Sequence, residues 1–290
     1  MNAVVFLSGM LALMSMIIAE EPPAFTVRSN IAYRSGDDLD AYARQRCVLD
    51  LYVPTAKPGF PVLVWFHGGG LEGGDKASGP TVAVAKRFAA AGIAVASVEY
   101  RLSPTVTAPA YIEDAAAAVA WVAVHIAEDG GDARGLFITG HSAGGYLAAL
   151  LGTDPRWLAK AGVAEEAIAG IIPLSGQVFT HFTISKERGL ADAQHTPVVD
   201  AYAPLHYVAR AKAMRPFLLL CGDHDWPGRA EENRCFVALL KTGGAVDATY
   251  TEIHDRDHGS ILGRLPLAED PAAAAIIAFV IGHRHRAVHP

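Results

Sequence analysis

Short apolar runs alternate along the chain with longer stretches of helical periodicity. Runs rich in Val, Ile, Leu and Phe, bounded by Gly, Pro and Asp, predict strands over Cys47–Tyr52, Pro61–Phe66, Ile93–Glu99, Leu136–Thr139, Gly170–Leu174, Phe217–Cys221 and Ala248–Ile253. Between them, apolar positions spaced by three and four predict helices over Thr81–Ala91, Ala110–Ala127, Ala143–Leu151, Arg229–Lys241 and Pro271–Ile281. Two helix ends carry boundary chemistry. Gly243 and Gly244 follow one helix as C-terminal caps, and Pro271 opens the other behind the acidic pair Glu269 and Asp270. Strand and helix in alternation predict an α/β fold, a mostly parallel sheet with helices on both faces.

One stretch breaks the alternation. Gly176 to Arg215 holds polar and basic residues, prolines and scattered aromatics between two predicted strands. That is long for a simple connection. It reads as a small cap or pocket wall over the carboxyl edge of the sheet, the edge where open α/β sheets bind ligands. No repeat or linker tract divides the rest, so residues 20–290 read as a single domain.

At the start of the chain, Val4 to Ala19 is an uncharged apolar run ended by Glu20, Glu21, Pro22 and Pro23. It is shorter than the roughly 20 residues a membrane span needs. An apolar segment ending at a small residue suits a secretory signal, so residues 1–19 are expected to be removed on export, leaving no stable membrane insertion. No basic residue precedes the run, and Ile17 stands where a small residue is preferred. A secreted or periplasmic location follows from this reading.

Composition narrows the classes. The 290 residues are 51% hydrophobic and 19% charged, which excludes intrinsic disorder. With 24 Lys and Arg against 30 Asp and Glu, the net charge of −6 argues against nucleic acid as a partner. Three cysteines, Cys47, Cys221 and Cys235, do not make a disulfide scaffold, and none sits in a metal or nucleophile motif. His283, His285 and His289 with Arg284 and Arg286 form a basic tail that suits the end of a helix dipole better than a metal. No metal or cofactor is expected.

The chemistry is carried by three loops. Gly140-His141-Ser142-Ala143-Gly144 follows the strand LFIT and precedes a helix of small residues. That strand, turn and helix around G-x-S-x-G form a nucleophile elbow, in which a strained turn exposes the serine hydroxyl at a helix N-terminus. His67-Gly68-Gly69-Gly70 follows the strand PVLVWF and is a loop of the kind that offers backbone N–H groups to a developing oxyanion. Gly68 to Gly73 also satisfies the dinucleotide pattern G-x-G-x-x-G, with Glu99 at the next strand end. Against it, no helix begins at the third glycine, and Glu72 and Asp75 would face a pyrophosphate.

The acid and base should follow the serine in the chain. Gly222-Asp223-His224-Asp225 ends one later strand and His254-Asp255-Arg256-Asp257-His258-Gly259 ends the next, both on the edge that carries Ser142. Asp223 suits a brace of its turn, while Asp225 and His258, farther out, suit the acid and the base. Ser175, Gln177, His181 and Phe182 are placed to contact the acyl or alcohol group.

With these motifs, the sequence from about Cys47 onward resembles the α/β-hydrolase carboxylesterases, the HGGG group allied to hormone-sensitive lipase and the BD-FAE-like esterases. The resemblance rests on His67–Lys76, Tyr100-Arg101-Leu102-Ser103-Pro104, Glu113-Asp114, Gly140–Gly145, Gly222–Asp225 and Asp257-His258-Gly259. It implies Ser142 as nucleophile, Asp225 and His258 as acid and base, and the amides of Gly69, Gly70 and Ala143 as oxyanion hole. It also implies structural roles for YRLSP and Asp114. Only about fifty residues precede His67 after a signal, fewer than hormone-sensitive-lipase relatives give to an N-terminal cap. A more open pocket is therefore expected, with Gly176–Arg215 as its lid material.

The function expected is a serine hydrolase of carboxylic esters, short-chain acyl or acetyl, acting on a small-molecule or polysaccharide-linked ester. The alternatives are an amide-bond hydrolase of the formamidase or dipeptidyl type and a non-catalytic hydrolase-fold binding protein. The oligomeric state is not legible in the chain.

Overall fold

The computed structural model describes residues 24–37, 39–209, 214–244 and 247–284. The apolar run at 4–19 lies outside them, as do His285, Arg286 and His289. Eight strands form one sheet: β1 (Phe25–Ala32), β2 (Val48–Pro54), β3 (Phe60–Phe66), β4 (Ala94–Val98), β5 (Gly131–His141), β6 (Ile168–Leu174), β7 (Phe217–His224) and β8 (Ala248–Asp257). Their spatial order is β1-β2-β4-β3-β5-β6-β7-β8, with β1–β2 and β2–β4 antiparallel and every other pair parallel. β3 and β6 are buried at every position, as expected of strands covered on both faces.

The helices are α1 (Ala41–Arg46), α2 (Gly79–Ala90), α3 (Ala110–His125), α4 (Ala143–Thr153), α5 (Pro155–Lys160), α6 (Phe182–Glu187), α7 (Arg229–Thr242), α8 (Ser260–Gly263) and α9 (Pro271–His283). Val84, Phe88, Ile276 and Val280 of α2 and α9 pack with Leu63, Trp65 and Val95 on one face of the sheet. Val119, Leu147, Phe236 and Leu240 of α3, α4 and α7 pack with Val62, Val64 and Ile138 on the other.

All seven expected strands and five expected helices are present, and this is an α/β-hydrolase fold. Strand β1 was not expected. It lies at the sheet edge and is mostly exposed, so its sequence shows neither an apolar run nor a clean alternation. The short helices α1, α5, α6 and α8 also escape the reading, because four to six residues are too few to show a helical period. At the α7 end it is Gly244 that takes the left-handed conformation (φ +106°), while Gly243 is ordinary. Asp270 caps α9 by accepting from Ala273 N.

Parallel register positions the loops. Phe66 pairs with Gly140, so the ends of β3 and β5 emerge side by side, and Gly68 comes against His141 and Ser142. At the other end of the edge His224 pairs with Asp257, after a register shift from Gly222, which sets Asp225 next to His258.

Candidate active site

Ser142 has φ +56° and ψ −117°, a conformation L residues rarely adopt, and it is held there between β5 and the first turn of α4. The turn is tight enough that a methyl group on Gly144 would lie 2.0 Å from Phe66 O. Across the sheet edge, His258 Nε2 lies 2.9 Å from Ser142 Oγ, and His258 Nδ1 lies 2.7 Å from Asp225 Oδ1. With Nδ1–H donating to the carboxylate, Nε2 is free to accept the serine proton. The Asp225 side chain is buried. Burial alone would raise its pKa, but hydrogen bonds from His258 and the Trp226 amide outweigh it and bring the carboxyl down to about 2. Cys221 adds a thiol donor to Asp225 Oδ2 at 3.4 Å.

Two rings flank His258. Trp226 stacks on it with centroids 3.7 Å apart and 17° between planes. His141 lies tilted at 4.8 Å, and its Nε2–H donates to His258 O at 2.7 Å. Burial, then the neighbouring His258, lowers the pKa of His141 to about 4, so it is a neutral donor near neutral pH.

The glycine loop is pinned from below. Gly69 has φ +116°, and a Cβ there would stand 2.3 Å from Gly73 O, so only glycine fits. Under the loop the buried Glu99 carboxylate takes His67 Nε2 at 2.9 Å, Lys76 N at 3.1 Å and the Arg46 guanidinium at 2.5 Å. Tyr100 donates to His67 O and stacks on the His67 ring at 4.3 Å. Next to this network, Arg101 binds fully buried Asp114 through two bonds of 2.7 Å, and Arg34 adds a third. Glu99 therefore binds the loop rather than a ribose. From above, Thr183 Oγ1 of α6 donates to Gly70 O, Phe182 packs 3.2 Å from where a Gly70 Cβ would be, and Lys186 pairs with Glu72 at 2.7 Å. The 176–215 excursion thus touches the loop that carries Gly69 and Gly70. Ala143, the first residue of α4, is buried beside Ser142.

Of the rival residues, Asp223 braces β7 to β8, accepting from Arg256 N at 3.2 Å and from the exposed His254 at 2.6 Å. His254 and Asp223 are a second His–Asp pair, but they do not reach Ser142. Ser175 and His181 are buried, His181 capping α6 through Nδ1; Gln177 and Phe182 keep partial exposure. Cys47 and Cys221 are buried thiols and Cys235 is exposed. His283 bonds Phe279 O and Asp247, as a helix-terminal residue. A cavity of about 840 Å³ opens at the other end of α4, lined by Thr153, Asp154, Glu165 and Tyr207 among others, and includes none of Ser142, Asp225 or His258.

Sequence reasoning passed over Trp226, His141, Cys221 and Thr183. The first three are neighbours of motif residues in the chain, a signal that was available. Thr183 had none.

A family model described as BD-FAE matches residues 49–232, well over half of the chain. The chain belongs to the BD-FAE family. It is 30% identical over 271 residues to esterase LipC of Mycobacterium tuberculosis, an alignment that spans 87% of this chain and 64% of LipC, less than two thirds of that relative's length. It is also 30% identical over 255 residues to carboxylesterase NlhH of the same organism, across 81% of this chain and 76% of NlhH. Among solved structures, a truncated form of a carbohydrate esterase from gut microbiota superposes with a TM-score of 0.71 at 19% identity, over 91% of this chain and 98% of that one. This BD-FAE member is an α/β-hydrolase of the carboxylesterase group related to hormone-sensitive lipase.

Proposed function

We propose that the protein hydrolyses short-chain acyl or acetyl esters with Ser142, His258 and Asp225 as a catalytic triad. One observation carries the reading: the unbroken run of contacts from Asp225 through His258 to Ser142, at 2.7 and 2.9 Å. His258 takes the Ser142 proton as Oγ attacks the ester carbonyl. The amides of Gly69, Gly70 and Ala143 receive the negative charge of the tetrahedral intermediate. The C–O bond to the alcohol then breaks, His258 hands its proton to the departing oxygen, and Ser142 is left acylated. Water attacks the acyl-enzyme with His258 again as base, releasing the carboxylic acid and restoring Ser142. Residues of the chain supply every group in this scheme.

A short acyl group is supported by Phe182, which closes in on Gly70 from the excursion. The name of the carbohydrate esterase neighbour supports sugar-linked acetyl esters as a substrate class beside small molecules. Residues 20–290 are proposed to act as one domain with 176–215 as its cap. The apolar run at 4–19 supports export to the periplasm or beyond.

The test is a kcat/KM series on p-nitrophenyl acetate, butyrate, octanoate and palmitate, with Ser142→Ala alongside. Preference for acetate or butyrate, lost in the variant, is expected. A folded protein no faster than Ser142→Ala on any ester would overturn the proposal and direct attention to amides.

A further inference from the structure

Trp226 is a large apolar side chain left 46% exposed, one residue beyond Asp225. Its ring lies flat on the imidazole of His258, closer than any other pair of rings among the described residues. Its backbone N–H donates to Asp225 Oδ1 at 2.7 Å, the same oxygen that faces His258 Nδ1. One residue thus touches both the acid and the base. On the second side of His258 the neutral His141 ring and its bond to His258 O complete a clamp. Outside the clamp, the Arg229 guanidinium, 5.9 Å from the Trp226 centroid, is paired with Glu232.

We propose that Trp226 is a positioning residue for the reaction, holding His258 in line between Asp225 and Ser142 and stabilising its imidazolium form. The proposal rests on the triad reading given above. The face of an indole ring carries negative quadrupolar charge, so it attracts a cation above it more than a neutral ring. The positive charge on His258 appears only when it takes the Ser142 proton, so the attraction is greater in the transition state than in the resting enzyme and lowers the barrier. The stack also limits rotation of the imidazole, which keeps Nε2 aimed at Ser142 Oγ. A rim residue that merely touched substrate would act on KM instead.

The experiment compares wild type, Trp226→Leu and Trp226→Phe on p-nitrophenyl acetate, with Ser142→Ala as the blank. Trp226→Leu is expected to lower kcat about tenfold with KM changed less than about twofold, and Trp226→Phe to recover most of the loss. In ¹H NMR without substrate, the hydrogen-bonded Nδ1 proton of His258 should be seen in wild type and Trp226→Phe, and lost to exchange in Trp226→Leu. An unchanged kcat in Trp226→Leu, a change in KM alone, or no recovery with phenylalanine overturns the proposal. Should Trp226→Leu not fold, emission decides. The wild type minus Trp226→Phe difference isolates Trp226 from the other three tryptophans, Trp65, Trp121 and Trp157. A rise in acrylamide quenching of that difference on His258→Ala is expected, since the imidazole covers one face of the ring, and its absence overturns the proposal. If wild type is no faster than Ser142→Ala, it is the triad reading that fails, and the Nδ1 proton still reports whether Trp226 holds His258.

Discussion

Gly144 approaches Phe66 so closely that its missing side chain is part of the site: a Cβ on Gly144 would lie 2.0 Å from Phe66 O and 2.8 Å from His67 O. The approach lets the serine turn nest against the end of β3, from which the glycine loop departs. Gly144→Ala is expected to destabilise the fold by about 3 kcal/mol or more, because backbone on both sides must move. Gly79→Ala, at a position with nothing within 4 Å, should stay within about 0.5 kcal/mol of wild type. Urea midpoints of the two variants check the contrast.

Asp225→Asn tests the acid. The amide keeps the shape but offers His258 no anion, and kcat is expected to fall by about 10³- to 10⁴-fold with the melting temperature little changed. Stability adds a second readout. The pKa of Asp225 is lowered from 3.8 to about 2, so the folded state binds its proton less readily than the unfolded chain. Its contribution is complete above the ordinary carboxylate pKa and is lost as pH falls through about 2. Stability measured from pH 5 down to 2 should therefore decline less steeply in Asp225→Asn than in wild type.

Thr183→Val removes the donor to Gly70 O while keeping shape. The glycine loop would lose one tie from above but keep the Lys186–Glu72 pair and the Glu99 network below. A fall in kcat/KM of about fivefold is expected, the rate equivalent of one ordinary hydrogen bond, with unfolding free energy changed by about 1 kcal/mol. An unaltered kcat/KM would mean that α6 does not steady the loop.

His181→Asn separates a cap from a titration. Burial, then the Arg229 charge, lowers the His181 pKa from 6.5 to about 3. The unfolded chain therefore takes up a proton below pH 6.5 that the folded protein refuses until about pH 3, and stability falls as pH drops through that window. Asparagine can still accept from Thr183 N at the start of α6 but has nothing to titrate. Between pH 7 and pH 5 the stability loss should shrink by about 2 kcal/mol relative to wild type, measured by denaturant unfolding at each pH.

The elements most legible in the chain were those whose environment is uniform along their length. β3 and β6, buried at every residue, announce themselves as apolar runs, and α4, buried at nearly every residue, as an apolar helix. β1 was illegible because an exposed edge strand is specified by its partner's hydrogen bonds rather than by its own side chains. The excursion at 176–215 was legible only as a break in the alternation. Its helix α6 is six residues long and owes its place to contacts with Gly70, Glu72 and Tyr111.

The candidate site divides in the same way. That Ser142, the glycine loop and the Asp and His candidates share one sheet edge was readable, because turn chemistry and chain order are local properties. The distances between them were not. Those depend on register, Phe66 with Gly140 and His224 with Asp257, and on the shift after Gly222 that brings Asp225 level with His258. The sequence by itself determined which groups could do the chemistry and the sheet edge from which they project. Only the tertiary structure decided that they meet, that Glu99 lies under the loop instead of beside a ribose, and that Trp226 covers His258. Pairing across parallel strands carries His258 to Ser142, 116 positions away in the chain, and no local pattern of side chains encodes a contact of that separation.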